Sequence, residues 1–362
     1  MEVLQFPDKH KIEGLTSLIM NKMKKIISTA FLTGLISVSF SQDIHFSQMI
    51  YSPLTLNPAL AGANHDMQAI INYKSQWQTV ASPYKTMAAS FDMRMQKLKM
   101  KKGFLAAGIN FFNDQAGDAK LNTTNVNLSV AYHVFLTGHS TLGGALITGG
   151  GQKSIKPGDL TWGNQFDGVN YNSALPTGEN FANSNFSFFD IGAGLVYTYK
   201  KSERYMTGND QRTINAGASI YHVNRPNNSF INDEKLQMRG TGFVTATIGL
   251  GNSHLSVVPA LYYNRQGTNQ EILAGSYLKK VFSEESHYTN LMHASAVSLG
   301  VFYRNKDAVI IKGMFEKGNY SAGIAYDVNV SSLSEVSKRR GGFEIFIRFT
   351  TPSPFSQSKS RI

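Results

Sequence analysis

The stretch from Leu121 to Leu136 reads Leu-Asn-Thr-Thr-Asn-Val-Asn-Leu-Ser-Val-Ala-Tyr-His-Val-Phe-Leu, and it decides the fold class. One set of alternate positions is apolar: Val126, Leu128, Val130, Tyr132, Val134 and Leu136. The set between them is mostly polar: Thr123, Asn125, Asn127, Ser129 and His133. Successive side chains of a strand point to opposite faces, so this pattern predicts one long strand with a single apolar face. It is much longer than the ~5 or 6 residues of an ordinary soluble strand.

The same period of two recurs over the rest of the chain and predicts about fourteen strands. The other alternating segments are Met67–Trp77, Tyr84–Met95, Phe104–Asn113, Leu142–Lys153, Phe188–Lys200, Thr213–Asn224, Thr241–Leu250, Leu255–Asn264, Glu271–Val281, Ala296–Arg304, Ala308–Phe315, Tyr320–Asn329 and Phe343–Thr350. Short turn-like junctions such as Lys317-Gly318-Asn319 separate some of them, and long connections such as 157–185 separate others. This arrangement is typical of an all-β, antiparallel transmembrane barrel.

The composition favours a membrane barrel over a soluble β-sandwich or propeller, which the same alternation could encode. Only 16% of the residues are charged, against roughly 25% in soluble proteins. The hydrophobic content is 42%, and no set of apolar segments of ~20 residues indicates a bundle of membrane helices. The chain has no cysteine, which excludes disulfides, thiolate metal sites and thiol catalysis.

A basic stretch at Met23–Lys25 precedes the uncharged, largely apolar segment Ile26–Phe40 and a group of small polar residues. This order predicts a cleaved secretory signal peptide ending at Ser41. A buried helix or a membrane anchor is the alternative interpretation. The acidic residues upstream of Met23 are unusual for a signal peptide, so we interpret the part of the sequence before it as the result of a translation start assigned too far upstream. Removal of residues 1–41 takes away five lysines and three acidic residues, and the net charge falls from +11 to +9.

Residues 42–66 lack the alternation and contain Ser52-Pro53 and Asn57-Pro58. Proline cannot donate to a strand ladder, so we do not expect a barrel strand here. We predict that this segment folds into the lumen or along the periplasmic rim as a plug or docking piece, and a disordered tail is the alternative. Its predicted contact residues are Phe46, Tyr51, Leu56, Asn57 and Pro58. The predicted organisation is a leader at 1–41, this segment at 42–66, the barrel at 67–350 and a tail at 351–362.

Charged and amide residues occupy the polar faces of several predicted strands. We expect them to face the lumen, because a lysine or arginine against lipid at mid-bilayer costs ~2–4 kcal/mol. The residues are Lys74, Asp92, Arg94, Asn127, Asp190, Glu344 and Arg348. They could hold the wall in register, or they could grip a partner segment inside the barrel.

No motif in the sequence predicts an enzyme, a cofactor or a metal site. The glycine-rich run Gly143–Gly151 is followed by Gln152-Lys153-Ser154, whereas a phosphate-binding loop needs glycine directly before the lysine. The nine histidines are scattered. The lysine and arginine residues do not form a basic stripe with interleaved aromatic residues, so nucleic acid is not a predicted partner. The lysines at 97–102 form one cluster that suits a turn facing a membrane surface or a partner.

Several strings resemble one known family. The segment Gln42–Gly62 reads Gln-Asp-Ile-His-Phe-Ser-Gln-Met-Ile-Tyr-Ser-Pro-Leu-Thr-Leu-Asn-Pro-Ala-Leu-Ala-Gly, and Asn72-Tyr-Lys-Ser-Gln-Trp77 follows it. Further matches lie at Tyr221–Phe230 and Arg340–Ile345. In order and spacing these strings resemble the PorP/SprF family of outer-membrane proteins from the type IX secretion and gliding-motility systems of Bacteroidetes. The resemblance covers nearly the whole chain after the leader.

The resemblance implies a non-enzymatic outer-membrane barrel that serves the secretion or surface anchoring of large proteins. The implied partners are adhesin-like secreted proteins with a type IX sorting domain, periplasmic ring lipoproteins and outer-membrane lipid. In the long connection 157–185, Trp162, Phe166 and Tyr171 provide aromatic area for a contact surface, although a mobile external loop has the same composition. The alternative function is a passive porin for small solutes, which the same strand pattern would encode.

Overall fold

The computed structural model of the protein describes residues 43–352, except 79–81, 96–101, 157, 159, 179–183, 202–203, 206–207, 231–233, 284–293 and 333. The predicted leader and most of the predicted tail lie outside the described residues, as do the lysines at 97, 99 and 101. None of the helices formed by the described residues has the length and apolar character needed to cross a bilayer.

Fourteen antiparallel strands form one closed barrel. The barrel strands are β1 (Met67–Gln76), β2 (Tyr84–Arg94), β3 (Gly103–Ala116), β4 (Leu121–Thr137), β5 (Ser140–Ser154), β6 (Asn185–Lys201), β9 (Arg212–Tyr221), β10 (Arg239–Gly249), β11 (Leu255–Gln266), β12 (Asn269–Ser283), β13 (Ser295–Arg304), β14 (Ala308–Lys317), β15 (Tyr320–Asn329) and β16 (Arg340–Thr351). A separate hairpin, β7 (Arg204–Tyr205) and β8 (Gly208–Asn209), stands between β6 and β9. The predicted fold class is confirmed.

The first and last strands close the barrel. Their register runs from Met67 opposite Thr351 to Gln76 opposite Gly342. We call the end at which β1 begins and β16 ends the terminal end, and the opposite end the loop end. The long connections between β5 and β6 and between β9 and β10 both lie at the loop end, because β5 and β9 run toward it.

The strands separate an apolar outer face from a largely polar inner face. On the outer face Leu146 and Leu299 are 67% and 66% exposed. Their chain neighbours Ala145 and Ser298 point inward and are buried. A wall of this kind can face lipid because every strand edge is paired and the outward side chains are apolar.

One predicted strand ends earlier than its alternation suggests. The pattern from Thr213 to Asn224 predicts a strand, but β9 ends at Tyr221. His222 and Arg225 have φ angles of 57° and 45°, in the left-handed region that a strand cannot contain. The chain therefore turns away from the wall at His222.

Residues 43–66, which we call the luminal segment, lie inside the barrel. They form a 3₁₀ turn at Met49–Tyr51, helix α1 (Pro53–Leu56) and a 3₁₀ turn at Pro58–Leu60. The core of the molecule is built where their apolar side chains meet small inward residues of the wall, among them Ala106, Ala131 and Ala145. A barrel of this strand number has a lumen that its own side chains do not fill, which leaves room for the segment. One further short helix, α2 (Ser334–Ser337), lies between β15 and β16.

Candidate functional site in the barrel lumen

The luminal segment begins at the loop end in a group of charged and polar side chains, which we call the Asp43 cluster: Asp43, Asp190, His222, Arg239 and Gln266. The Asp43 carboxylate lies 2.5 Å from Nε2 of His222 and 3.3 Å from Arg239. The Asp43 amide donates to the Gln266 side chain at 2.8 Å. The other ring nitrogen of His222, Nδ1, lies 3.0 Å from the Asp190 carboxylate. One ring thus joins the segment to the wall.

Electrostatics favour charged partners in the Asp43 cluster. Burial lowers the pKa of His222, but the Asp43 and Asp190 carboxylates outweigh burial and raise the pKa to about 9. Burial also raises the pKa of Asp43, yet the charges of His222 and Arg239 outweigh it and hold that pKa well below its usual range. An imidazolium between two carboxylates fits this geometry, since both of its nitrogens are donors.

Ser47 is held by four charged side chains of the wall. Its amide donates to Glu344 at 2.5 Å, and its hydroxyl donates to Asp327 at 2.7 Å. Arg304 donates to the same hydroxyl at 2.5 Å, and Lys312 donates to the Ser47 carbonyl at 2.6 Å. We call these residues, together with Lys74 and Glu271, the Ser47 network.

Most charges of the Ser47 network are paired with one another, whereas the Lys312 ammonium bonds the Ser47 carbonyl and lies 3.6 Å from the centre of the Phe302 ring. Lys74 lies 3.3 Å from Glu344 and donates to the carbonyl of His45 at 2.8 Å. Arg304 lies 2.9 Å from Glu271 and 3.0 Å from Asp327. Buried charges are tolerated only with such partners, because an ion left alone in a low-dielectric interior loses its hydration without compensation.

Aromatic stacking fixes the middle of the luminal segment. The rings of Tyr51 and Phe346 are stacked with centroids 3.9 Å apart, and Asn72 donates to the Tyr51 carbonyl at 2.9 Å. The Arg348 guanidinium lies 5.1 Å from the Tyr51 ring and donates to Glu316 and Ser321. Tyr51 therefore packs between an apolar and a cationic part of the inner wall.

Asn57 joins the segment to the main chain of two strands. Its side chain donates to the carbonyls of Leu195 at 2.9 Å and Ala218 at 3.1 Å. Its oxygen also accepts from the Ala59 amide and so caps the 3₁₀ turn that begins at Pro58. This approach requires glycine in β6, because a Cβ at Gly194 would stand 2.2 Å from the Asn57 oxygen.

The luminal segment leaves the lumen at the terminal end through the Arg94 cluster, which comprises Gly62, Asp66, Asp92, Arg94 and His133. Asp92 accepts from the Gly62 amide at 2.9 Å, and Arg94 donates to the Gly62 carbonyl at 2.6 Å. Arg94 also pairs with Asp66 at 3.0 Å. His133 lies 2.9 Å from the Ala61 carbonyl. Gly62 has a φ of 65° and would bring a Cβ to 2.6 Å from Ala106, so glycine is required there.

The structure places all the residues expected to face the lumen on the inner wall. Lys74, Asp92, Arg94 and Glu344 bind the luminal segment, and Asp190 reaches it through His222. Asn127 instead lies against Gly149 on the neighbouring strand. Of the segment residues singled out by sequence, Phe46, Tyr51, Leu56, Asn57 and Pro58 are all buried. The structure thus brings the segment residues into one site with the predicted wall residues other than Asn127.

Sequence reasoning missed part of the site. The missed residues are Asp43, Ser47, His222, Arg239, Glu271, Arg304, Lys312 and Asp327. Apart from His222, the missed wall residues occupy inward positions of strands that the sequence predicts. The alternation that selected Glu344 could therefore also have selected Arg304 and Asp327. No sequence pattern indicated Asp43 or Ser47.

The long loop after β5 is folded around Gln165. The Gln165 side chain donates to the carbonyls of Ser173 and Leu175, and it accepts from the Tyr171 hydroxyl at 3.0 Å. Phe166 and Tyr171 remain 55% and 47% exposed, whereas Trp162 is half-buried. Two of the three aromatic residues predicted as a contact surface are therefore open to a partner.

The site is built to fix a polypeptide segment. Its charged groups point at amides, carbonyls and each other, and carboxylates that accept backbone N–H bonds hold a chain without reacting with it. Within the described ranges, no group of histidine and acidic side chains lies close enough to hold a metal ion.

Comparison with known proteins gives one family. The family described as type IX secretion system membrane protein PorP/SprF matches residues 38–349. No curated protein sequence matches the chain significantly. Among solved structures, BamA from Haemophilus ducreyi lacking POTRA domains 1–3 is similar with a TM-score of 0.40 at 8% identity, over 79% of this chain and 70% of that chain.

Two further solved structures are similar to the chain at a comparable level. The translocator domain of the autotransporter NalP from Neisseria meningitidis aligns with a TM-score of 0.34 at 10% identity, over 94% of this chain and 98% of that chain. The toluene transporter TbuX from Ralstonia pickettii aligns with a TM-score of 0.34 at 13% identity, over 84% and 94% of the two chains. The chain belongs to the PorP/SprF family of type IX secretion system membrane proteins and is an outer-membrane β-barrel.

Proposed function

We propose that the protein is a non-enzymatic platform of the type IX secretion system, closed by its own luminal segment. In this proposal it binds secreted surface proteins that carry a type IX sorting domain, such as adhesins, and it docks periplasmic ring lipoproteins. The occupied lumen is the observation that carries the proposal. A passive pore needs an open polar lumen, whereas here Glu344, Lys312 and Arg94 are engaged with residues 43–66.

The loop end supports contact with a secreted protein. Phe166 and Tyr171 are exposed on a loop that the Gln165 side chain holds together, and Val169 between them is 79% exposed. Exposed aromatic residues on an ordered loop are typical centres of protein contact, because they bury large area at a small entropic cost. We place this end at the cell surface.

The terminal end supports contact with a periplasmic partner. Lys102, Arg212, Lys280 and Lys317 are exposed at or next to strand ends there, and Asp210 is an exposed acidic residue of the same end. Most exposed charges among the described residues of this rim are positive. Such a surface attracts an acidic protein surface and speeds its association at low ionic strength. We place this end in the periplasm.

Conductance in planar bilayers tests the closed platform. We expect purified wild-type protein to show no steady open channel. A variant without residues 43–62 removes the segment and keeps Asp66 and the barrel, and we expect it to conduct if its barrel forms. A steady open pore from the wild type would contradict the platform and favour the porin.

Capture from a mild-detergent extract tests the partners. We expect the wild type to retain a large secreted protein with a type IX sorting domain and ring lipoproteins. The double substitution Phe166→Ser and Tyr171→Ser should lose the secreted protein and keep the lipoproteins. Ser173→Ala on the same loop is the matched control. Retention of the secreted protein by the double variant would contradict the proposed contact surface.

A further inference from the structure

The luminal segment passes through the lumen from one end of the barrel to the other. At its start, Asp43 contacts His222, Arg239 and Gln266, which follow, begin and end strands at the loop end. At its finish, the Asp66 amide donates to the Thr351 carbonyl at 2.9 Å, at the terminal end.

The contacts between these two points lead from the loop end of the barrel to its terminal end. Ser47 bonds Asp327 and Arg304 in the loop-end half of their strands. Asn57 then reaches the middle of β6 at Leu195. Gly62 bonds Asp92 near the terminal end of β2. Helix α1 turns back toward the loop end, because Tyr221 and Arg239 donate to the carbonyls of Leu54 and Thr55. The chain then runs to the terminal end at Gly62.

The wall offers no lateral exit. All fourteen strands are paired with both neighbours, and β1 pairs with β16 over its whole length. A chain that stands inside a closed cylinder can leave it only through a mouth. The terminal mouth is the one through which the segment already runs into β1 at Met67.

We infer that the luminal segment is threaded through its own barrel, so that a peptide inserted directly before Asp43 would emerge at the loop-end mouth. Asp43 then lies at the same end of the barrel as Phe166 and Tyr171. This inference rests on the path of residues 43–66 and is independent of the proposed partners.

Cysteine labelling tests the exit directly, because the chain contains no cysteine of its own. A Gly-Ser-Cys tripeptide is inserted directly before Asp43. Asn305→Cys, exposed between β13 and β14, marks the loop end, and Asn252→Cys, exposed between β10 and β11, marks the terminal end. A bulky membrane-impermeant maleimide is applied to intact cells and to cells with a permeabilised outer membrane. Heat-modifiable migration in gels confirms that each variant forms a folded barrel.

We expect the inserted cysteine to react under the same condition as Asn305→Cys, whichever side that proves to be. Reaction only with Asn252→Cys would overturn the inference. Reaction in neither condition, with reaction after denaturation, would also overturn it, because the peptide would then remain inside the barrel.

A cross-link in purified protein provides a second measurement if the insertion prevents folding. A short bis-maleimide should join Asp43→Cys to Gln266→Cys at the loop end. It should not join Asp43→Cys to Ser321→Cys, which lies at the terminal end of β15. The reverse pattern, or no cross-link to Gln266→Cys, would contradict the threaded path.

Discussion

The two faces of the same strands are held by different physics. On the outer face, side chains such as Leu146 and Ile345 are exposed on an apolar surface that suits lipid, where one apolar side chain can replace another. On the inner face, the Glu344 carboxylate has three specific partners, which are the amides of Ser47 and Gln48 and the ammonium of Lys74. The outer face therefore specifies where the barrel resides, and the inner face specifies what fills it.

The largest expected difference between the faces is at two adjacent residues of β16. Glu344→Ala leaves Lys74 without its carboxylate and leaves the amides of Ser47 and Gln48 without an acceptor. We expect a loss of ~3–5 kcal/mol in the free energy of unfolding, as for other buried pairs with one partner removed. Ile345→Ala on the outer face should lose ~2 kcal/mol or less. Urea unfolding in lipid vesicles measures both.

A double variant separates the ion pair from its surroundings. Replacement of both Lys74 and Glu344 by methionine removes the two charges together, so it should cost less than the sum of the single substitutions. Equal losses for Glu344→Ala and Ile345→Ala would show that the inner face holds the luminal segment no more firmly than lipid holds the outer face.

A smaller difference is expected at two glycines of neighbouring strands. Gly194→Ala on the inner face brings a Cβ to 2.2 Å from the Asn57 oxygen, whereas Gly144→Ala on the outer face meets Leu195 at an ordinary 3.4 Å. We expect Gly194→Ala to cost ~1–3 kcal/mol, typical of overpacking. Gly144→Ala should be nearly neutral. Asn57→Ala combined with Gly194→Ala should relieve part of the loss, and an unchanged loss would argue against this contact.

The smallest expected effect is a dependence on pH at the Asp43 cluster. The pKa of His222 is raised to about 9, so its contribution is complete below the ordinary pKa and is lost as the pH rises through 9. Between pH 7.5 and 8.5 stability should fall by at most ~1.4 kcal/mol. His222→Asn suits the positive φ of 57° and should abolish this slope. The same slope in both proteins would exclude His222 as its source.

The sequence was sufficient for the outer face and for the number of strands. Alternation is local, so Leu128 or Leu195 can be assigned to the apolar face from its immediate neighbours. Strand ends were less certain, because His222 continues the alternation although its φ ends β9. Asn57 and Pro58 were recognised as unsuited to a strand, since proline lacks the donor that a ladder needs.

The partners on the inner face could not be predicted from sequence. Asp43 and His222 are 179 residues apart, and Ser47 and Glu344 are 297 apart. These pairs exist only when the barrel closes around the luminal segment, so they depend on the register of all strands and on the path of the segment. The glycine at position 194 is another example, because its neighbour Asn57 comes from the luminal segment, far earlier in the chain.

Hydrogen exchange of the folded barrel, read by mass spectrometry, tests the occupied lumen most directly. The amides of Ser47 and Gln48 are buried and bonded to Glu344, and those of Ala59 and Gly62 are bonded within the lumen. We expect peptides from residues 43–66 to exchange as slowly as peptides from β1 and β16. Exchange as fast as in an unfolded peptide, in a barrel whose strands stay protected, would contradict it.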